Sequence, residues 1–426
     1  MTYSTLPPGI RGILSEILSG VPLKICIECW GTDKISLNSD LDDHLPRITI
    51  KIHHPGVFRE LILTQDPLVL AEAYLKGFAD YIGDFDDLML LENLSYSDIK
   101  HSQAIKAGVE AMALPALPVP FDENLPWHKL QFGTKERDKA VIQHHYDAGN
   151  DFYRLWLDPL LLYSCAYFEH EQMSLKEAQE AKLDRICRKL RLQPGEYLLD
   201  IGCGWGALLR WAVTRYGVKG YGITLSQEQL AFNQEIIDQE GLGEHLKVEL
   251  LDYRDLPQKA TFDKIVSIGM VEHVGVKNYP IYFEKALSAL KPGGLFLNHG
   301  MTAIGHSEGS SLNERFIARY IFPDGKLSTL STNLAAAEEV GWEIVDVDGW
   351  RSHYGKTFRC WAANLEAAME QAIALIGEPK ARLWRLYLTG FAQAFEQNHL
   401  AIYQVLLRRR LDREWKLPLT RKNWLD

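Results

Sequence analysis

Tyr197-Leu198-Leu199-Asp200-Ile201-Gly202-Cys203-Gly204-Trp205-Gly206 decides the fold. An apolar run meets an aspartate, three glycines follow at every second position, and a helix-forming segment comes next. That order reads as strand, tight turn, helix. Without a Cβ, Gly202, Gly204 and Gly206 let the backbone come close to a ligand. A nucleotide-type cofactor is the expected ligand, and the spacing narrows which one. Dinucleotide sites use G-x-G-x-x-G and triphosphate loops use G-x-x-x-x-G-K-[ST]. Here the third glycine is one residue early for the first pattern, and no lysine follows for the second.

Outward from this stretch, strands and helices alternate from about residue 135 onward, predicting a mostly parallel α/β sheet covered on both faces. Ser174-Leu175-Lys176-Glu177 is a capping box that opens a helix reaching about Leu192. Strands are expected at 197–201, 220–224, 247–251, 264–268 and 294–299, with helices at 207–216, 226–240 and 279–290. Residues 342–347 and 401–407 read as a late antiparallel pair, separated by long helices at 356–376 and 381–399.

A chain of 426 residues exceeds one ordinary core. Three parts are expected: a smaller α+β domain at 1–110, a Pro-rich linker at 111–134 containing Pro115, Pro118, Pro120 and Pro126, and the α/β domain at 135–426. The first part should hold a helix at 10–18, strands at 23–30 and 47–53, a helix at 68–78 and turns at 80–87. A net charge of −10 argues against nucleic acid as a partner, since phosphate binding needs surplus Lys and Arg. The N-terminus lacks the basic start and apolar core of a signal peptide. No run of ~18 apolar residues predicts a membrane span. Six cysteines in so long a chain do not suggest a disulfide framework, which fits a reducing cytoplasm. Cys26-Ile27-Glu28-Cys29 is a lone C-x-x-C, expected on one face of a strand and without a metal.

Asp200-Ile201-Gly202-Cys203-Gly204-Trp205-Gly206 resembles the cofactor motif of the Rossmann-like S-adenosylmethionine (SAM) methyltransferases. Phe262-Asp263-Lys264-Ile265-Val266-Ser267 resembles that family's fourth strand, and Leu290-Lys291-Pro292-Gly293-Gly294-Leu295-Phe296 its turn into the fifth. The resemblance implies that the amino-acid end of SAM lies over the glycines. One departure is the end of the second strand, Gly222-Ile223-Thr224-Leu225-Ser226, which lacks the usual acid for the ribose; hydroxyls and Gln229 would substitute.

Four further segments are similar to the cyclopropane-fatty-acyl-phospholipid synthase family. They are His145-Tyr146-Asp147-Ala148-Gly149-Asn150-Asp151-Phe152-Tyr153, Tyr163-Ser164-Cys165-Ala166-Tyr167-Phe168, Gly269-Met270-Val271-Glu272-His273-Val274-Gly275 and Arg319-Tyr320-Ile321-Phe322-Pro323. The likeness covers most of 140–410. Ala71-Glu72-Ala73-Tyr74-Leu75-Lys76-Gly77 more loosely resembles the family's lipid-binding domain. The implied activity is methylene transfer from SAM to the cis double bond of an unsaturated phospholipid acyl chain.

That chemistry sets requirements. An isolated double bond is a poor nucleophile, and its attack on a methyl donor leaves a carbocation. Water must be kept out, and aromatic faces can stabilise the cation. A base must then take a proton from the transferred methyl so that the ring closes. By resemblance the base is a bound bicarbonate ion, held by Cys165 (mainly through its backbone), Glu272, His299 and Tyr320. An acid such as Glu272 at the end of a buried strand is costly unless it is used or paired. His273 reads as a supporting residue. The SAM site implied is Tyr163, Ser164, Asp200, Gly202, Gly204, Thr224 and Gln229, with Tyr253 beside the adenine and Asn150 and Phe152 closing the pocket. No metal is implied. A homodimer and peripheral contact with the inner face of the membrane are. Seven basic residues from Arg408 to Lys422, with Trp415 and Trp424, read either as a contact for anionic headgroups or as a solvated tail. The alternatives are a methyl- or methylene-branching enzyme, a small-molecule methyltransferase, and a silent SAM- and lipid-binding protein.

Overall fold

A computed structural model of the chain describes residues 5–19, 21–30, 33–38, 47–89, 91, 101–118, 134–135, 148–305, 315–316, 319–321 and 327–421. Residues 145–147 and 322–323, linker residues 119–133, Lys422 and Trp424 lie outside them. The chain divides into two compact units. The first comprises Met1–Leu125, Gly309–Phe316 and Ala372–Gly390, and the second Pro126–Glu308, Ile317–Gln371 and Phe391–Asp426.

In the first unit, β1 (Lys24–Cys29), β2 (Asp33–Leu37), β3 (Arg47–Ile52) and β4 (Ala79–Ile82) form a sheet in the order β2-β1-β3-β4. β1 and β3 are parallel and the outer strands antiparallel. Alternate residues of a strand face one side, and Ile25, Ile27, Ile48, Ile50 and Ile52 are all buried. They pack in one core with Ile10, Leu14 and Ile17 of the helix Pro8–Ser19 and Val57, Phe58 and Leu61 of Gly56–Thr64. β2, β4 and the helices Gly56–Thr64 and His101–Ala113 go beyond the sequence reading, and Asp80, expected in a turn, lies in β4. The shared face expected for Cys26 and Cys29 is wrong. Positions three apart in a strand point opposite ways, and Cys29 is buried while Cys26 is partly exposed.

The second unit contains β5 (Tyr197–Ile201), β6 (Lys219–Thr224), β7 (Leu246–Leu250), β8 (Phe262–Ile268), β9 (Leu290–Ala303), β10 (Trp342–Gly349) and β11 (Leu400–Arg409), in the order β10-β11-β9-β8-β5-β6-β7. β5 to β9 pair in parallel, whereas β11 slots antiparallel between β9 and β10. β5 therefore has β6 on one side and β8 on the other, and this switch opens a crevice at its carboxyl end. The apolar runs of β5 and β8 are what burial on both faces requires.

Helices follow the expected places closely. Ala207–Tyr216 follows the glycine turn, and Ser226 caps Gln227–Gln239 by accepting from the Gln229 amide. In the capping box, the Glu177 amide donates to Ser174 Oγ at 3.3 Å and the Ser174 amide to Glu177 Oε2 at 2.9 Å. The helix expected at 356–376 is instead two, Arg351–Ala367 and Met369–Ile376. Because β11 is antiparallel, Arg408 pairs with Leu295 and the basic tail leaves at the edge opposite the glycine turn. Arg409 there donates to the carbonyls of Leu287 and Leu290 at 2.9 and 2.8 Å, and Arg408 stacks 5.0 Å from the Trp415 ring.

Gly206 has φ of +75°, and a Cβ there would run into Asn233, whose amide donates to the Gly204 carbonyl at 2.8 Å. Gly206→Ala is expected to lower the unfolding free energy by about 1–3 kcal/mol. Chemical denaturation of the purified variant measures this.

Candidate functional site

The glycine turn is tied to the next strand: the amides of Gly202 and Cys203 both donate to the Ile223 carbonyl at 3.0 Å. Gly202 and Gly204 have φ of +80° and +55°, the left-handed region that favours glycine. A Cβ on Gly204 would meet nothing within 4 Å, so the turn presents an open backbone face. A cavity opens on that face. All eight residues expected at SAM, namely Tyr163, Ser164, Asp200, Gly202, Gly204, Thr224, Gln229 and Tyr253, line it.

Tyr163, Ser164, Thr224 and Gln229 are held from behind. Tyr163 has the rings of Trp156, Trp361 and Tyr153 at 5.3, 5.4 and 5.8 Å. Lys182 Nζ donates to Ser164 Oγ at 2.7 Å, and Gln179 Nε2 donates to the Ser164 carbonyl at 2.9 Å. Thr224 Oγ1 donates to Gln229 Oε1 at 2.7 Å, which leaves the amide nitrogen of Gln229 as its donor. Trp205 Nε1 donates to Asn150 Oδ1 at 2.8 Å, so Asn150 braces the wall beside the glycines. Burial pushes Asp200 up to about 7 despite the countering charge of Lys182. Lys182 in turn is lowered to about 8 by burial, with Asp158 opposing. The open glycine face, an acid at the strand end and a hydroxyl–amide pair suit the amino-acid and ribose portions of SAM.

None of the four residues expected at the anion lines this cavity, and Cys165, Glu272 and His299 are neighbours of residues that do. Ile268 lines the cavity and pairs in register with His299; Met270 lines it two residues before Glu272. Glu272 sits on the turn Val271–Val274 that follows β8, and its Oε1 accepts from the Met301 amide at 2.7 Å. Its Oε2 is buried without a hydrogen-bond partner among the described residues, as is Nε2 of His299. Burial raises Glu272 to about 7 and pushes His299 well below the ordinary imidazole range. Cys165 is fully buried, with its Sγ turned to the Ala166 carbonyl at 3.2 Å and the Trp350 carbonyl at 3.9 Å. Burial pushes that thiol upward, so it is not poised as a nucleophile. Trp350 also meets the His299 ring edge-on at 5.1 Å, linking the two. Tyr320 is half-buried in helical backbone at 319–320, with the Arg319 guanidinium 5.5 Å from its ring centre.

Two participants escape the sequence reading: Lys182 fixes Ser164, and Met270 stands 3.6 Å from where a Gly202 Cβ would be. His273, read as a supporting residue, lines the cavity, its imidazole lowered to about 4 by burial. For Lys182 a signal was present: a charged residue on the apolar face of an amphipathic helix.

A mostly parallel seven-stranded sheet with one antiparallel strand, a glycine turn after β5 and a cavity over it define a SAM-dependent methyltransferase of Rossmann-like fold. The family model described as mycolic acid cyclopropane synthetase matches residues 133–405, and the chain belongs to this cyclopropane synthase family. It is 39% identical to the "Probable fatty acid methyltransferase" of Pseudomonas putida, over 96% of this chain and 98% of that one. It is 35% identical to the cyclopropane-fatty-acyl-phospholipid synthase of Escherichia coli K12, over 84% and 87%. Among solved structures, mycolic acid cyclopropane synthase CmaA1 complexed with SAH and CTAB superposes with a TM-score of 0.61 at 37% identity, covering 64% of this chain and 98% of that one.

A carboxyl raised from 4.5 to about 7 keeps its proton in the fold after the unfolded chain has lost it. The stability it contributes is full below about pH 4.5 and is lost as pH rises through 7. Glu272→Gln removes that loss, so the variant should match the parent near pH 4 and exceed it at pH 8 by roughly 1–3 kcal/mol. Denaturant titrations at the two pH values measure the difference.

Proposed function

We propose that this enzyme transfers a methylene unit from SAM to the cis double bond of an unsaturated phospholipid acyl chain and closes a cyclopropane ring. The observation that carries the reading is a buried acid and a buried imidazole, Glu272 and His299, each with a polar atom that has no partner among the described residues, beside the cavity lined by the residues expected at SAM. A transfer that ends with the methyl group has no use for such a pair, whereas ring closure must remove a proton in a dry place. The names of the Escherichia coli and Pseudomonas putida relatives support a fatty acyl substrate.

Bound over the glycines, SAM supplies an electrophilic methyl group whose transfer leaves positive charge on the acyl chain. Tyr163, the member of the aromatic cluster that lines the cavity, would offer its ring face to such a charge, and the rings of Tyr153, Trp156 and Trp361 packed behind it would keep water out. Glu272, His299, the Cys165 backbone and Tyr320 would hold a bicarbonate ion, which supplies a weakly nucleophilic base. Glu272 held protonated and His299 held neutral would meet that anion without like charge. The first unit would recruit the lipid from a membrane surface. No helix among the described residues is long and apolar enough to cross one. A methyl- or methylene-branched product is the second reading, favoured by the name of the Pseudomonas putida relative.

Purified protein, SAM and vesicles of unsaturated phospholipid, followed by mass spectrometry of the fatty esters, test the proposal. A ring-bearing ester one CH₂ heavier is expected. A branched ester supports the second reading, and bound SAM with no lipid product contradicts both. Glu272→Gln should lower turnover by about 10²–10⁴-fold while SAM affinity stays within about threefold. Equal losses would place Glu272 in cofactor binding instead.

A further inference from the structure

We propose that Gln404, oriented by Lys189, is a positioning residue that holds the His299 imidazole in the tautomer carrying its proton on Nε2, so that the unpartnered edge of the ring is a hydrogen-bond donor. Its consequence for catalysis rests on the reading of His299 as an anion-site group; the tautomer itself does not.

Sheet register assembles the device. Gln404 on β11 stands directly opposite His299 on β9, and on its other side opposite Asp348 on β10. Asp348, Gln404 and His299 thus form one row across three strands, where directly opposed side chains touch. Above the row lies the end of the helix Leu175–Lys189. Its last residue, Lys189, is buried, with Nζ at 2.7 Å from both Asp348 Oδ2 and Gln404 Oε1.

Donor and acceptor chemistry then leaves one arrangement. An ammonium group has only protons to give, so the Gln404 atom facing Lys189 must be its carbonyl oxygen. The NH₂ of the same amide is therefore the group facing His299 Nδ1, at 3.2 Å. An amide NH₂ only donates, so Nδ1 must be the bare, accepting nitrogen. A neutral imidazole accepting at Nδ1 carries its proton on Nε2.

Two features keep the ring neutral and Lys189 charged. Burial, with the charges of Lys182 and Lys189 nearby, disfavours an imidazolium at His299. Burial lowers Lys189, but it is countered by Asp348, whose own carboxyl is held down at about 2 by Lys189 and Arg185 against the upward push of burial, so Lys189 faces a full carboxylate. Trp350 fixes the plane of the imidazole from its edge. Without Gln404 the ring would be free to turn over or to change tautomer, presenting an acceptor where an anion needs a donor.

Histidine-selective ¹⁵N labelling of the full-length protein tests this directly, the His299 signals being assigned by their loss in His299→Gln. The parent should show a neutral ring with the proton on Nε2 between pH 6 and 8. Gln404→Glu keeps the contact with Lys189 but offers Nδ1 an acceptor. It should shift His299 to the Nδ1-protonated or doubly protonated pattern. It should also lower kcat roughly tenfold or more, with SAM affinity nearly unchanged. A parent ring protonated on Nδ1, or a ring unchanged in Gln404→Glu, overturns the proposal. The spectra are recorded without lipid, so they test the tautomer independently of the product assay.

Discussion

Burial of polar side chains beneath the carboxyl edge of the sheet is the constraint on which the second unit depends. Gln179, Lys182, Lys189, Asp200, Glu272, His299 and Gln404 are all nearly inaccessible to solvent. A buried polar group without a partner costs several kcal/mol, on the order of 1–3 by mutational measures. The helix Leu175–Lys189 supplies much of the compensation, reaching Ser164 through Gln179 and Lys182 and the β10–β11 pair through Lys189. Among the described residues compensation is incomplete at several buried atoms, Gln179 Oε1 included, and two of them, Glu272 Oε2 and His299 Nε2, lie beside the cofactor cavity. Such gaps in a native interior call for an occupant.

The same burial sets the charges. Glu272 is moved toward its protonated form, His299 and His273 toward their neutral forms, and Cys165 toward its thiol. Held in these forms, Glu272 and His299 would add no full charge to oppose the proposed anion or a transient cation. The arrangement costs stability near neutral pH. That trade is common where a site must hold groups in forms that water would not favour.

Much of this was legible in the chain. β5 and the helix after the glycine turn fall where the pattern puts them, Tyr197–Ile201 and Ala207–Tyr216, because a strand buried on both faces must be apolar throughout. The eight residues expected at SAM share one cavity because the motif fixes β5, its turn and the strand beside it together. The link between His299 and Gln404 was not legible. It spans 105 positions and arises only because β11 inserts between β9 and β10, a register that no local pattern encodes. Lys182 and Lys189 occupied the buried face of their helix among Ala178, Leu183 and Ile186, a visible conflict whose partners lie on other elements. The short, mixed strands β2 and β4 gave too few alternations to read.

On the proposed reaction, the site beside the cofactor cavity removes a proton from the transferred carbon before the product leaves. SAM bearing a trideuterated methyl group, supplied with unsaturated phospholipid vesicles, tests it most directly. The account predicts a ring carbon that keeps two of the three deuteriums and gives up the third to solvent. A product that keeps all three as an intact methyl branch would contradict it.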